Sequence, residues 1–185
     1  MKKNLILILV LAVLAATSCQ EQIDVDKEKE AIIAVVNAQS EAYMARDLET
    51  VSSYMVQDSL NIRLRANKWE YDYTVGWEKL AELMDKDFAN DSAWAKYENL
   101  RYERKDFNIK VYPKSAWAVF KTVYIWEEDT VTNKWKNIET RILEKVDGEW
   151  KIAYQCNIGK SSYKEKKEKE EAAEGEEAET EESTE

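Results

Sequence analysis

The sequence predicts an α+β fold, with helices grouped early and antiparallel strands grouped late. Three observations carry this. Ile32, Val35, Val36, Gln39 and Tyr43 fall on one face at helical spacing within 27–46. Ser115–Glu128 is rich in Trp, Val, Phe, Tyr and Ile, residues that suit a pleated surface. Asp147-Gly148 sits between two such runs and is a strong hairpin signal. Helices followed by a run of strands indicate helices packed on one face of a curved sheet.

The elements follow in order. After the first helix, Asp47 suits an N-cap for a second one reaching Met55, with Leu48, Val51 and Met55 as its apolar stripe. Gln57-Asp58 breaks that pattern. Leu60, Ile62 and Leu64 alternate with polar residues, and after a turn at 66–68 Trp69, Tyr71 and Tyr73 alternate with Glu70 and Asp72. Gly76 opens a third helix with Trp77, Leu80, Ala81, Met84 and Phe88 on one face, and Asn90-Asp91-Ser92 ends it. A long strand then reaches Tyr112, Pro113-Lys114 turns it, and Ser115–Glu128 returns. A hairpin at 129–133 leads to a strand over 134–146, and the last strand spans 149–158.

The N-terminus has its own grammar. Lys2 and Lys3 precede an apolar run at 5–16, which is shorter than the ~20 residues needed to span a bilayer. Ala16-Thr17-Ser18 and then Cys19 follow, so 1–18 reads as a signal peptide and is set aside from the fold. The cysteine at the cut point resembles the lipobox of bacterial lipoproteins, apart from Ala16 where leucine is usual. That resemblance implies that Cys19 is lipidated and becomes the first mature residue. The expected location is a bacterial membrane, on its periplasmic or outer surface. Residues 20–26 form a polar tether, and 27–163 form one domain of about 135 residues, enough for a real core. Residues 164–185 hold eleven glutamates against four lysines, most of the formal charge of −10. That composition cannot bury apolar surface and reads as a disordered acidic tail.

Composition also excludes chemistry. The chain has no histidine, which removes the commonest general base and metal ligand. Neither a metal nor a cofactor is expected. With Cys19 taken by lipid, Cys156 has no disulfide partner within the chain. No basic patch suited to nucleic acid emerges.

Several segments together resemble the nuclear-transport-factor-2-like superfamily, in its SnoaL-like and ketosteroid-isomerase-like branch. They are Ala45-Arg46-Asp47-Leu48 between two helices, Tyr54-Met55-Val56-Gln57-Asp58 before the first strand, Gly76-Trp77-Glu78-Lys79-Leu80, Ser115-Ala116-Trp117-Ala118, and the closing Asp147-Gly148-Glu149-Trp150-Lys151-Ile152. The resemblance spans 27–158. It implies a cone: a strongly curved, mostly antiparallel sheet wrapped around the N-terminal helices, with an apolar cavity at the open end. Members use such a cone for catalysis, for binding small apolar molecules or for dimerisation, and the fold alone does not choose.

The catalytic sets of the related enzymes are not found. Asn61-Ile62-Arg63-Leu64-Arg65 stands where the isomerase base is expected, and Tyr154-Gln155-Cys156-Asn157 where many relatives carry histidine. The candidate pocket residues are therefore mainly aromatic: Tyr43, Tyr54, Trp69, Tyr71, Tyr73, Tyr124, Trp126 and Tyr154, with Arg141 and Cys156. Tyr hydroxyls among rings suit a flat or apolar ligand. The same rings would serve equally as core or as cover for the outer face. Arg63, Arg65 and Arg141 alternate with apolar residues, so one pointing inward would clamp a ligand carboxylate. One facing water, or pairing with Glu139 or Glu144, would not.

Three functions follow as expectations. The first is an envelope lipoprotein that holds a small ligand, or a protein partner, in its cone. The second is an isomerase or hydrolase using Tyr and a carboxylate such as Asp58. The third is a structural homodimer formed through the convex face.

Overall fold

The structure, a computed structural model, describes residues 23–128 and 131–166. The expected signal peptide, Cys19 and most of the acidic tail lie outside the described residues.

Helix α1 (Val25–Met44) begins two residues before its expected start. The Asp24 carboxylate accepts the Lys27 amide at 3.2 Å and fixes that start. Its C-terminal end turns through Arg46 at φ 58°, with the Arg46 and Asp47 amides donating back to Tyr43 and Ala42 at 3.0 Å each. Asp47 then caps α2 (Leu48–Ser53), accepting the Thr50 amide at 3.0 Å. β1 (Ile62–Ala66) and β2 (Tyr71–Val75) form a hairpin. Trp69, expected at the head of β2, lies instead in the turn, where Asn67 Oδ1 accepts its amide at 2.8 Å.

Gly76 precedes α3 (Trp77–Phe88) at φ 91°, a backbone shape that side chains resist. There its amide donates to Asn61 O at 2.8 Å. One further turn, α4 (Asp91–Trp94), is capped by Asn90, where the sequence suggested only an end to α3. β3 (Glu98–Val111), β4 (Ser115–Glu128), β5 (Val131–Val146) and β6 (Glu149–Lys166) complete the chain. β5 begins inside the expected hairpin at 129–133, and β6 runs eight residues beyond the expected end at Ile158. Asp147 and Gly148 both take positive φ, as the tight turn between β5 and β6 demands.

The six strands run in the order β2-β1-β6-β5-β4-β3, with β1 and β6 the parallel pair. The fold is mixed α+β, with a curved, mostly antiparallel sheet around the helices. Register shifts bend it. β3 breaks register around Asn99 and Asp106, which adopt φ 50° and 58°. β6 breaks register at Ala153: Leu143 pairs with Ile152, yet Ile142 pairs with Tyr154. Ile32 and Val36 from α1, Leu80 and Met84 from α3, and Phe120, Leu143 and Ile152 from the sheet are essentially fully buried together. Each such side chain contributes about 1.5–3 kcal/mol of burial.

Candidate functional site

The site is best built from the inward-facing rows of the sheet. Next to the core, Arg63 on β1 pairs with Gln155 on β6, which pairs with Arg141 on β5. One step outward, Asp72, Arg65, Asn157, Glu139 and Phe120 stand in line across five strands. The next row holds Gly159, Asn137 and Thr122, and the one beyond it Trp135 and Tyr124. Trp126 follows. The wall thus grades from guanidinium and amide groups to aromatic rings.

These rows border an open cavity of about 730 Å³. Opposite the sheet it is closed by Gln39, Ser40 and Tyr43 of α1 and by Trp94 and Tyr97. A chain of ring contacts frames that side: Tyr43 to Trp94 at 5.8 Å, Trp94 to Tyr97 at 6.1 Å, and Tyr97 to Trp126 at 5.5 Å. The Trp94 indole N–H is fixed by Asp87 O at 2.8 Å.

Two charge clusters hold the inner end. Glu139 is fully buried and accepts from Arg141 at 2.6 Å and from the Tyr124 hydroxyl at 3.1 Å, with Arg104 at 4.0 Å. Arg141 also donates to Asn157 at 2.9 Å. Burial and the neighbouring Glu139 charge push the Tyr124 hydroxyl up, so it stays a neutral donor. In the second cluster Arg65 pairs with Asp72. Burial pushes the Asp72 carboxyl up, but the Arg65 hydrogen bond and the Arg65 and Arg63 charges outweigh it and hold it below its ordinary value. Asp72 is therefore an ionised partner for arginine, poorly suited to donate a proton. Asp58 serves a different end: its carboxylate accepts the Leu60 amide at 2.8 Å and its carbonyl the Trp77 amide at 2.8 Å, tying the loop before β1 to α3. Among the described residues, no group of three or more His, Cys, Asp or Glu could hold a metal ion.

A model of the SnoaL-like domain matches residues 32–156. The chain belongs to this family. Solved structures share the fold of this SnoaL-like domain at low identity. An NTF2-like protein with a cystatin-like fold from Novosphingobium aromaticivorans is 14% identical, with a TM-score of 0.57 over 72% of this chain and 82% of that one. A ketosteroid isomerase-like protein from Erwinia carotovora atroseptica is 19% identical, at 0.50 over 70% and 94%. A hexachlorocyclohexane dehydrochlorinase of type 2 is 15% identical, at 0.57 over 77% and 93%. No curated protein matches the chain.

Within the SnoaL-like domain, Tyr43, Tyr124, Trp126 and Arg141 line the cavity, and Tyr71 stands at its mouth. The structure takes the other candidates elsewhere. Tyr54 ends α2, where its carbonyl accepts the Ile152 amide at 2.8 Å. Trp69 is in the β1–β2 turn, 81% exposed. Tyr73 and Tyr154 lie on the outer face, and Cys156 is buried in the same phase of β6 as Tyr154. The physical reason on β6 is the break at Ala153. Ile152 faces the core, but the extra residue reverses the alternation, so Gln155 and Asn157 rather than Tyr154 and Cys156 face the cavity.

Arg63 and Arg65 line the cavity together with Arg141, which both points inward and pairs with Glu139. The cavity is accordingly apolar along its ring-lined part, as the resemblance implied, but carries guanidinium and amide groups at its inner end. Trp94, Tyr97 and Trp135 are lining rings that the sequence reading did not single out. Trp135 was accessible to it, since it shares the phase of Arg141 along β5.

Proposed function

We propose that this protein is a cell-envelope lipoprotein whose SnoaL-like domain holds a small ring-bearing molecule in its cone. The observation that carries the reading is the open cavity of about 730 Å³ with Tyr43, Trp94, Tyr97, Tyr124, Trp126 and Trp135 along it. That volume falls within the range of small-molecule pockets, and the mixture of rings with a few fixed polar groups suits orientation of a flat ligand. The reading of Cys19 as lipidated supports a position at a bacterial membrane, with the cavity free to meet solutes beside it.

Tryptophan emission tests the binding reading. Titration with 2-naphthol, a neutral ring probe, should quench it saturably, and Asn137→Trp, which fills the cavity, should weaken that response. Linear quenching, or quenching unchanged in the filled variant, would remove the support. Metabolic labelling with an alkyne fatty acid tests the anchor: Cys19→Ala should abolish the label, and a label that persists contradicts lipidation at Cys19.

A second reading is a homodimer through the outer face. Ile138 and Ile158 are directly paired there and 52% and 55% exposed. Ile142 pairs with Trp117 and Tyr154, and Leu64 with Tyr73, so the apolar surface is continuous across the sheet. Ile142→Lys should convert a dimer to a monomer in light scattering. A monomer without that change would contradict this reading.

A further inference from the structure

Charge is unevenly matched inside the cone. On the sheet's inward rows Arg63, Arg65, Arg104 and Arg141 meet two carboxylates, Asp72 and Glu139, while Asp87 and Glu70 stand on the cavity wall. Glu139 is engaged by Arg141 and Tyr124, and Asp72 by Arg65. Arg104 is spread over Ser40, Asn37 and the Val36 carbonyl, and its guanidinium stacks on Tyr102 at 4.2 Å. Arg63 is the exception. It is 6% exposed and lines the cavity, its Nε is buried without a partner, and its guanidinium makes no hydrogen bond among the described residues. The nearest carboxylate oxygen, Oδ2 of Asp72, stands 3.8 Å away, beyond hydrogen-bond length. A guanidinium offers five donors in a planar fork, and burying it without acceptors is costly. Burial and the adjacent Arg65 charge both pull the Arg63 guanidinium below its ordinary pKa.

From these relationships we infer that the inner end of the cavity is a carboxylate site, with Arg63 as its anchor, so that the ligand is an aromatic monocarboxylic acid. This deepens the cavity-binding reading and rests on it. A carboxylate presents two oxygens in one plane, the match for a guanidinium fork. Gln155, directly across from Arg63, and Asn157 beside it bring amide groups to the same end. Asp87 and Glu70 on the cavity wall oppose a second negative charge, which disfavours a dianion such as a phosphate monoester. With the carboxylate at Arg63, the ligand's body extends along β6 from Gln155 toward Gly159, about 13 Å at the rise of a strand. There the Trp135 indole and the Tyr124 ring await it. That span suits an acid built on one or two fused rings.

Calorimetry on the full-length protein in detergent tests this, with 2-naphthoate against its neutral counterpart 2-naphthamide. Naphthoate should bind at least about tenfold more tightly, a difference of the size expected for one charge-assisted hydrogen-bonded pair. Arg63→Met should weaken naphthoate by about the same factor while leaving naphthamide within about threefold, and Arg63→Lys should fall between. The wild-type comparison stands even if a variant fails to fold. Equal binding of the two probes overturns the carboxylate site and leaves the cavity reading intact. Binding of neither by folded protein overturns both.

Discussion

A Cβ built on Gly159 would lie 2.4 Å from Nε1 of Trp135 and 2.9 Å from the next ring atom. The indole of β5 therefore lies directly against the bare backbone of β6, and Trp135 and Gly159 both line the cavity at that level. Glycine is required here by close approach rather than by its backbone angles, since its φ lies outside the left-handed region.

Gly159→Ala should accordingly displace the Trp135 ring into the cavity. Overpacking of this kind costs about 1–3 kcal/mol. The near-ultraviolet circular dichroism of the tryptophans should change, and the affinity for a ring probe should fall. Unchanged spectra and affinity would show that the indole does not lie against Gly159.

The Glu139–Arg141 pair is buried on both sides, at 0% and 2% exposure. Removing one partner strands the other, so Arg141→Met should cost about 3–5 kcal/mol in urea unfolding. The double variant Glu139→Gln/Arg141→Met should cost less than Arg141→Met alone, because the buried Glu139 charge is gone and Arg104 keeps its hydrogen bonds to Asn37 and Ser40. Additive losses would contradict the pairing.

Arg63 behaves oppositely. Its charge is buried without a hydrogen bond, so its removal relieves a penalty in the free protein. Arg63→Met should raise the free energy of unfolding in urea, in the absence of ligand, by roughly 1 kcal/mol. A fall of that size would make Arg63 a structural residue.

Stability should fall on the acid side. Glu28 on α1 joins Lys145 at 2.5 Å and the Trp150 indole N–H at 2.5 Å, tying the first helix to the β5–β6 hairpin. The Lys145 hydrogen bond holds its carboxyl below the ordinary 4.5, and Asp72 is depressed in the same direction. A depressed carboxyl contributes fully above its unfolded value, and that contribution is lost as pH falls through the folded one. Urea midpoints should therefore hold down to about pH 4.5 and then decline, with a shallower decline in Glu28→Gln. Identical acid slopes in the two proteins would count against this tie.

Much of the fold was readable. Asp47 acts as a cap and Gly76 as a helix start because local hydrogen bonds and backbone angles decide both. Ser115–Glu128 spans the strand that its composition indicated. What period-2 alternation does not encode is which phase is concave. On β5, Ile138 and Ile142 face outward while Asn137, Glu139 and Arg141 face inward, the reverse of a sheet closed over an oily core. The single extra residue at Ala153 then reverses the phase of β6, which put Tyr154 and Cys156 on the wrong side of the reading. Trp94 and Tyr97 lie in a short stretch around one helical turn, too brief for any periodicity to place them.

The central claim is that the cone holds a small molecule. Native mass spectrometry of the protein, purified in mild detergent from the cells that make it, tests it most directly. The account predicts a discrete adduct of small-molecule size that is lost in Asn137→Trp. A protein that repeatedly flies bare, or an adduct that survives in that filled variant, would contradict it.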